Sequence, residues 1–216
     1  ARSTERFIKY FEYLEERNKV MNLTAISGEK DVAQLHFLDC AALLGMADLK
    51  GKSVIDVGTG AGFPGLALKI AQPDMSLTLL DSLNKRIDFL SETCDMLGLS
   101  DVRCIHARAE EAAPELRASF DVAVSRAVAR LEVLCELCLP FVKTGGVFIA
   151  MKGPDCADEV KRAENAMKLL GAQLKETVLY TVPGTDISHA AVIIEKTKPT
   201  HPKYPRKWAQ IKKNPL

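Results

Sequence analysis

Apolar residues recur at helical spacing from the start of the chain. Phe7, Ile8, Tyr10, Phe11 and Leu14 share one side of a segment whose other side is charged, which predicts an amphipathic helix over 2–20. The run Asn22-Leu23-Thr24-Ala25-Ile26 breaks it. Ser27, followed by Glu29 and Asp31, then starts a second helix carrying His36 and Asp39 beside Leu35, Leu38, Leu43 and Leu44. From Gly51 onward short apolar runs alternate with longer segments of 3.6-residue period. Strands are predicted over 54–57, 76–80, 102–106, 120–125 and 146–151, and helices over 64–71, 84–97, 131–139 and 155–170. The last two strand-like runs, 174–182 and 190–196, are joined by a turn around Pro183-Gly184, and only an antiparallel hairpin closes over so short a link.

Regular strand and helix alternation with short loops implies a parallel sheet with right-handed crossovers. With the hairpin added, the expected fold is α/β: a Rossmann-like, doubly wound, mostly parallel seven-stranded sheet ending in a C-terminal antiparallel hairpin. The expected organisation is an N-terminal helical extension over 1–50, the sheet domain over 51–196 and a basic tail over 197–216.

The centre of this pattern is Val54-Ile55-Asp56-Val57-Gly58-Thr59-Gly60-Ala61-Gly62-Phe63-Pro64-Gly65, a strand, a bare glycine turn and a helix start. Such a corner brings backbone N–H groups close to a ligand and aims the positive end of a helix at it. The next strand ends in Asp81, placed to accept the hydroxyls of a ribose. Asp56, at the strand end before the first glycine, is not usually needed by dinucleotide domains but is common in methyltransferases that use S-adenosylmethionine. The hairpin points the same way, because it separates class I S-adenosylmethionine-dependent methyltransferases from dinucleotide domains. Asp56, Gly58, Gly60, Gly62 and Asp81 are therefore expected to hold the donor. Ala109 and Glu110, after the third strand, are placed to meet its adenine.

Composition adds limits. Hydrophobic residues make up 47% of 216 and charged residues 26%, ordinary for a globular chain with one large core. No membrane-length apolar run or secretory leader is visible, so a cytoplasmic protein is expected, and a short segment is expected to precede Ala1. Six cysteines are scattered through predicted helices and strands, and Cys135 and Cys138 lack a second ligand pair at zinc spacing, so no metal is expected. Net charge is only +1, but no acidic residue follows Glu195. Lys203, Tyr204, Arg206, Lys207, Trp208, Lys212 and Lys213 form a basic, aromatic tail suited to tracking phosphates and stacking bases of RNA.

The strand ends also constrain the acceptor. After the fourth strand the chain reads Ser125-Arg126-Ala127, without the Asn or Asp and paired prolines of exocyclic-amine methylases and without a thiolate beside proline. Asp121 lies at the wrong end of its strand to activate a ribose hydroxyl. An acceptor that needs no activation fits, and guanine N7 is one, because its lone pair is already free. No catalytic side chain is assigned with certainty; Arg126 is expected to clamp guanine O6 or a neighbouring phosphate, and Lys152 is a further possibility. A different RNA, a small molecule or a protein as acceptor, and a non-enzymatic ribosome-binding module, stay open at this level.

Several pieces together resemble one family. They are Asn22 to Ile26, Asp56 to Gly65, Leu80-Asp81-Ser82-Leu83-Asn84-Lys85-Arg86, Arg108-Ala109-Glu110-Glu111, Ser125-Arg126-Ala127, Lys152-Gly153 and Tyr204-Pro205-Arg206. The chain is similar nearly end to end to the glucose-inhibited division protein B family. That resemblance implies a cytoplasmic 16S rRNA guanine-N7 methyltransferase acting at position 527 in rRNA numbering, with S-adenosylmethionine as donor and S-adenosylhomocysteine as product. It implies donor contacts at Gly58, Phe63, Ala109, Glu110 and Arg126, and 16S rRNA or the small ribosomal subunit as partner. The sequence itself says nothing of oligomeric state, for which a monomer is the default expectation.

Overall fold

The computed structural model describes residues 2–126 and 129–216. Ala127, part of the piece after the fourth strand, lies outside the described residues.

Helix α1 (Arg2–Met21) buries Tyr10 and Leu14 on its apolar side and leaves its charged side to solvent, as its spacing requires. The second helical stretch is less regular than its sequence suggests. It runs from α2 (Glu29–Val32) through a π-helical segment (Ala33–Leu38) and α3 (Asp39–Ala41) into a 3₁₀ turn (Ala42–Gly45). The wider π turn is invisible to a 3.6-residue pattern and commonly marks functional positions.

Strands β1 (Ser53–Val57), β2 (Ser76–Asp81), β3 (Val102–His106), β4 (Phe120–Ser125), β5 (Val142–Lys152), β6 (Ala172–Thr181) and β7 (Ser188–Lys196) form one sheet in the order β3-β2-β1-β4-β5-β7-β6. The first five pair in parallel, and β7 pairs antiparallel with both β5 and β6. The expected strands and hairpin are all present. The fifth begins at Val142 rather than 146, running through Gly145-Gly146, with a register shift between Phe120 and Val122 on its partner.

Period-two alternation divides the sheet between two cores. Val54, Leu77, Leu79 and Ile149 face α1, α4 (Gly65–Ala71) and α5 (Asn84–Leu97). Ile55, Val57, Leu80 and Phe148 face α6 (Ala109–Leu116), α7 (Leu131–Cys138) and α8 (Ala157–Leu169). Each fully buried Leu or Ile contributes about 2 kcal/mol of burial free energy, so both faces are strongly fixed. Segment 1–50 shares the first core: Tyr10 stacks between Phe37 at 5.4 Å and Phe63 at 5.5 Å. Strand order reverses between β1 and β4, which opens a crevice at their carboxyl ends.

Two helices have no counterpart in the sequence pattern. Pro114 reads as a breaker, yet α6 accommodates it within eight residues. The tail folds into α9 (Trp208–Lys213), whose one fully buried residue, Ile211, is too little apolar signal to announce a helix.

Candidate functional site

The glycine corner is stitched to its neighbour: the Gly58 and Thr59 N–H groups both donate to the Leu80 carbonyl, at 2.9 and 3.1 Å. Alternation sends Asp56 to the α4 side of the sheet, where it is fully buried. Its Oδ2 accepts the Thr59 hydroxyl at 2.7 Å and the Gly65 N–H at 2.8 Å, tying the strand end to the helix start. A Cβ on Gly65 would stand 2.8 Å from the Asp56 Cβ, so close approach alone dictates glycine there. Asp56 Oδ1 has no hydrogen-bond partner among the described residues. Burial pushes its carboxyl up to about 6, against the opposing pull of Thr59, Gly65 and Arg126. A buried carboxylate with one uncompensated oxygen beneath a glycine loop suits a cationic ligand.

On the opposite face the corner opens into a cleft of about 330 Å³, lined among others by Gly58, Asp81, Ala109 and Glu110. Gly60 adjoins it by donating its N–H to Asp81 Oδ2 at 2.9 Å. A Cβ built on Gly58 or Gly60 would meet nothing within 4 Å, so bare backbone faces open space. Asp81 is already engaged: Oδ2 also accepts from Arg86 at 3.3 Å, and Oδ1 accepts the Leu83 N–H at 3.0 Å. A carboxylate has about four lone-pair sites, so Asp81 has room for one ribose hydroxyl as it stands. Accepting both, as its sequence position suggests, requires the long Arg86 contact to yield. Glu110 accepts the Arg108 Nε–H at 2.6 Å, and its side chain is 11% exposed. Leu134 and Leu137 of α7 complete an apolar wall. Sequence inspection missed them because they read as ordinary helix core.

The α4 side is sealed. Phe63 is buried against the His36 ring, centroids 4.2 Å apart, with the Arg126 guanidinium 5.0 Å above it. Arg126 donates to the Leu35 carbonyl at 3.0 Å and to His36 Nδ1 at 2.6 Å, and lies 3.5 Å from Asp39 Oδ2. Asp39, 1% exposed, also accepts from the Tyr180 hydroxyl at 2.7 Å and His189 Nδ1 at 2.9 Å. Burial, reinforced by Arg126, pushes the His36 imidazole down to about 3. It is therefore neutral: Nδ1 accepts from Arg126, and Nε2–H donates to Thr24 Oγ1 at 2.8 Å. Gly62 belongs here too, because a Cβ on it would lie 2.5 Å from the Tyr10 hydroxyl. The π segment places Leu35 and His36 together on Arg126, a junction no linear spacing announces.

Several expectations need correction. Arg126 is held inward by Leu35, His36 and Asp39, so its guanidinium is part of the site's wall and not an outstretched clamp. Lys152 is 9% exposed in its side chain and donates to the Ala129 carbonyl and Glu159 Oε1, both at 2.7 Å, which leaves it no catalytic role at an acceptor. In the tail, Tyr204 is buried, and Arg206 makes a paired contact with the fully buried Glu136, at 2.9 Å from Nε and 2.7 Å from Nη2. Neither presents itself to RNA. Trp208 lines the cleft beside Ala109 and Glu110. Lys203, Lys207, Lys212 and Lys213 remain exposed. Among the described residues no group of His, Cys, Asp and Glu is arranged to hold a metal ion, and no helix is long and apolar enough to cross a membrane.

Comparison with solved structures finds the same fold in the M. jannaschii TYW2 protein in complex with AdoMet, with a TM-score of 0.61 at 16% identity over 77% of this chain and 80% of that one. TrmN from Thermus thermophilus aligns with a TM-score of 0.57 at 23% identity, over 73% of this chain and 48% of that one. At such identities the likeness speaks for the fold alone. Sequence relatives are much nearer. The ribosomal RNA small subunit methyltransferase G of Clostridium botulinum (strain Loch Maree / Type A3) is 48% identical, and that of Clostridium kluyveri 49%, each over 98% of this chain and 90% of the relative. The family model described as rRNA small subunit methyltransferase G matches residues 3–185. With a glycine corner, a buried acid beneath it and Asp81 at the tip of the neighbouring strand, the chain belongs to the rRNA small subunit methyltransferase G family.

Proposed function

We propose that the chain transfers the methyl group of S-adenosylmethionine to N7 of a guanine in 16S rRNA, at position 527 in rRNA numbering. Family membership supports the donor and the rRNA substrate. The observation that carries the N7 reading is that, apart from the fully buried Asp56, the polar groups around the β1, β4 and β5 ends are already committed. His36 is neutral with both nitrogens hydrogen-bonded. Asp39 serves Arg126, Tyr180 and His189. The Ser125 hydroxyl donates to the Val57 carbonyl, and Lys152 is tied to Glu159. An acceptor nitrogen that loses no proton in the transfer step needs none of them.

When bound, S-adenosylmethionine supplies an electrophilic methyl group on a positively charged sulfur. Around it, Gly58 and Gly60 would keep the backbone bare, Asp81 would take a ribose hydroxyl, and Ala109 and Glu110 would meet the adenine. Asp56 contributes negative charge beneath the loop, while Phe63 and Arg126 fix the inner wall. These groups would fix the donor and shut water out, so that orientation of the two reactants would supply much of the acceleration. The exposed Lys203, Lys207, Lys212 and Lys213 attract the RNA backbone. A cytoplasmic monomer fits this role.

The test is a mass measurement of N7-methylguanosine in 16S rRNA from cells lacking the chain and from cells complemented with it. The modification at the target guanine is expected to vanish and return. If the guanine's methylation is unaffected by deletion, the assignment fails.

A further inference from the structure

The chain holds one tryptophan, Trp208, and the fold spends it in an unexpected place. Residues 204–213 do not trail away from the sheet. Arg117 of the segment after α6 donates to the Tyr204 carbonyl, Tyr204 and Ile211 are buried, and Arg206 grips buried Glu136 through its side chain and its own N–H at 2.9 Å. Glu136 sits on α7 beside Leu137, a lining residue of the cleft. The hook two residues before Trp208 is thus fastened to the same helix that forms the apolar wall. It delivers the indole to the cleft rim, where the Arg108 guanidinium lies 5.3 Å from its ring centre while Arg108 Nε holds Glu110.

We propose that Trp208 is the outer wall of the nucleoside end of the donor site, so that the C-terminal segment works as a strap across the adenosine and not only as an RNA-tracking tail. The proposal rests on the assignment of the cleft to the donor. Three features favour an adenine over an RNA base as the indole's occupant. Trp208 shares the cleft with Gly58 and Asp81, the lining includes the aliphatic Val57, Leu80, Leu134 and Leu137, and the tail's exposed lysines lie outside it. An aromatic face against a purine is sequence-tolerant stacking, and its loss by alanine substitution corresponds to about a tenfold weakening.

The experiment measures equilibrium binding of S-adenosylhomocysteine by calorimetry to the unaltered chain and to Trp208→Ala, Trp208→Phe and Asp81→Ala, with RNA affinity measured in parallel. Trp208→Ala is expected to bind the nucleoside about tenfold more weakly, Trp208→Phe within about threefold of the original, and RNA affinity is expected to be little changed in either. Because the tryptophan is single, its emission in the unaltered chain is expected to shift on adding S-adenosylhomocysteine, and not on adding methionine alone. Unchanged nucleoside binding in Trp208→Ala, with binding lost in Asp81→Ala, overturns the wall while keeping the cleft. Unchanged binding in both variants overturns the cleft assignment itself, and the wall with it.

Discussion

The two sides of the glycine corner are built on opposite terms. On the α4 side, Asp56, Phe63, His36 and Arg126 form a sealed, internally bonded block in which one methyl group has nowhere to go. On the α6 side, Gly58, Asp81, Glu110 and Trp208 border an open cleft whose outer wall comes from the far end of the chain. The sealed side has its geometry set before any ligand arrives, and apart from Asp56 Oδ1 its polar groups are hydrogen-bonded to one another. The open side is finished by a strap held by the Arg206–Glu136 ion pair, by Arg117 at the Tyr204 carbonyl and by buried Tyr204 and Ile211. A transfer reaction that relies on alignment needs the first to stay rigid, and exchange of a spent nucleoside needs the second to give way.

The contrast is broken most severely by Arg126→Ala. It removes the cation from the buried Asp39 and a partner from His36, and is expected to cost about 3 kcal/mol of stability. Turnover is expected to fall further than donor affinity, which thermal unfolding and steady-state kinetics separate. Next comes Gly65→Ala, whose Cβ must displace the Asp56 carboxylate or Leu79; about 2 kcal/mol of destabilisation is expected, read as a lower unfolding midpoint. Trp208→Ala, by contrast, removes a far larger group from the open side and is expected to leave that midpoint almost unchanged.

Charge and pH sharpen the comparison at smaller amplitude. Asp56 is raised to about 6, so below that value it is protonated and offers a cation nothing. Affinity for S-adenosylmethionine is expected to weaken as pH falls through 6, with a shallower dependence for uncharged-sulfur S-adenosylhomocysteine; calorimetry across pH 5 to 8 checks it, and Asp56→Asn should flatten the difference. His36 works on stability in the other direction from Asp56. Its folded value of about 3 lies below the unfolded 6.5, so the unfolded chain binds more protons between those values and stability is lost as pH falls through that window. For Asp56 the folded chain binds more protons between 3.8 and 6, so the same acidification adds stability there. His36→Gln is expected to remove the first effect alone, visible as a smaller drop in unfolding midpoint between pH 6.5 and 4. The smallest expected change is in RNA binding. Charge reversal at Lys212 and Lys213 should lessen the salt dependence of RNA affinity by about two phosphate contacts and leave donor binding intact.

What the sequence determined by itself were the features with a local or periodic cause. The strands, the hairpin, the glycine corner and the two aspartates follow from alternation, turn chemistry and a close backbone approach, all encoded by neighbours along the chain. Tertiary structure decided whatever depends on partners far apart in sequence. Arg126 reads as a free cation until residues 35–39 fold onto it, about ninety positions away. Arg206 reads as part of an RNA tail until Glu136 is buried beneath it, and Trp208 is carried to the cleft by that pairing together with buried Tyr204 and Ile211. A charge pattern records how many cations a segment has, but burial and pairing across the fold decide which of them still face outward.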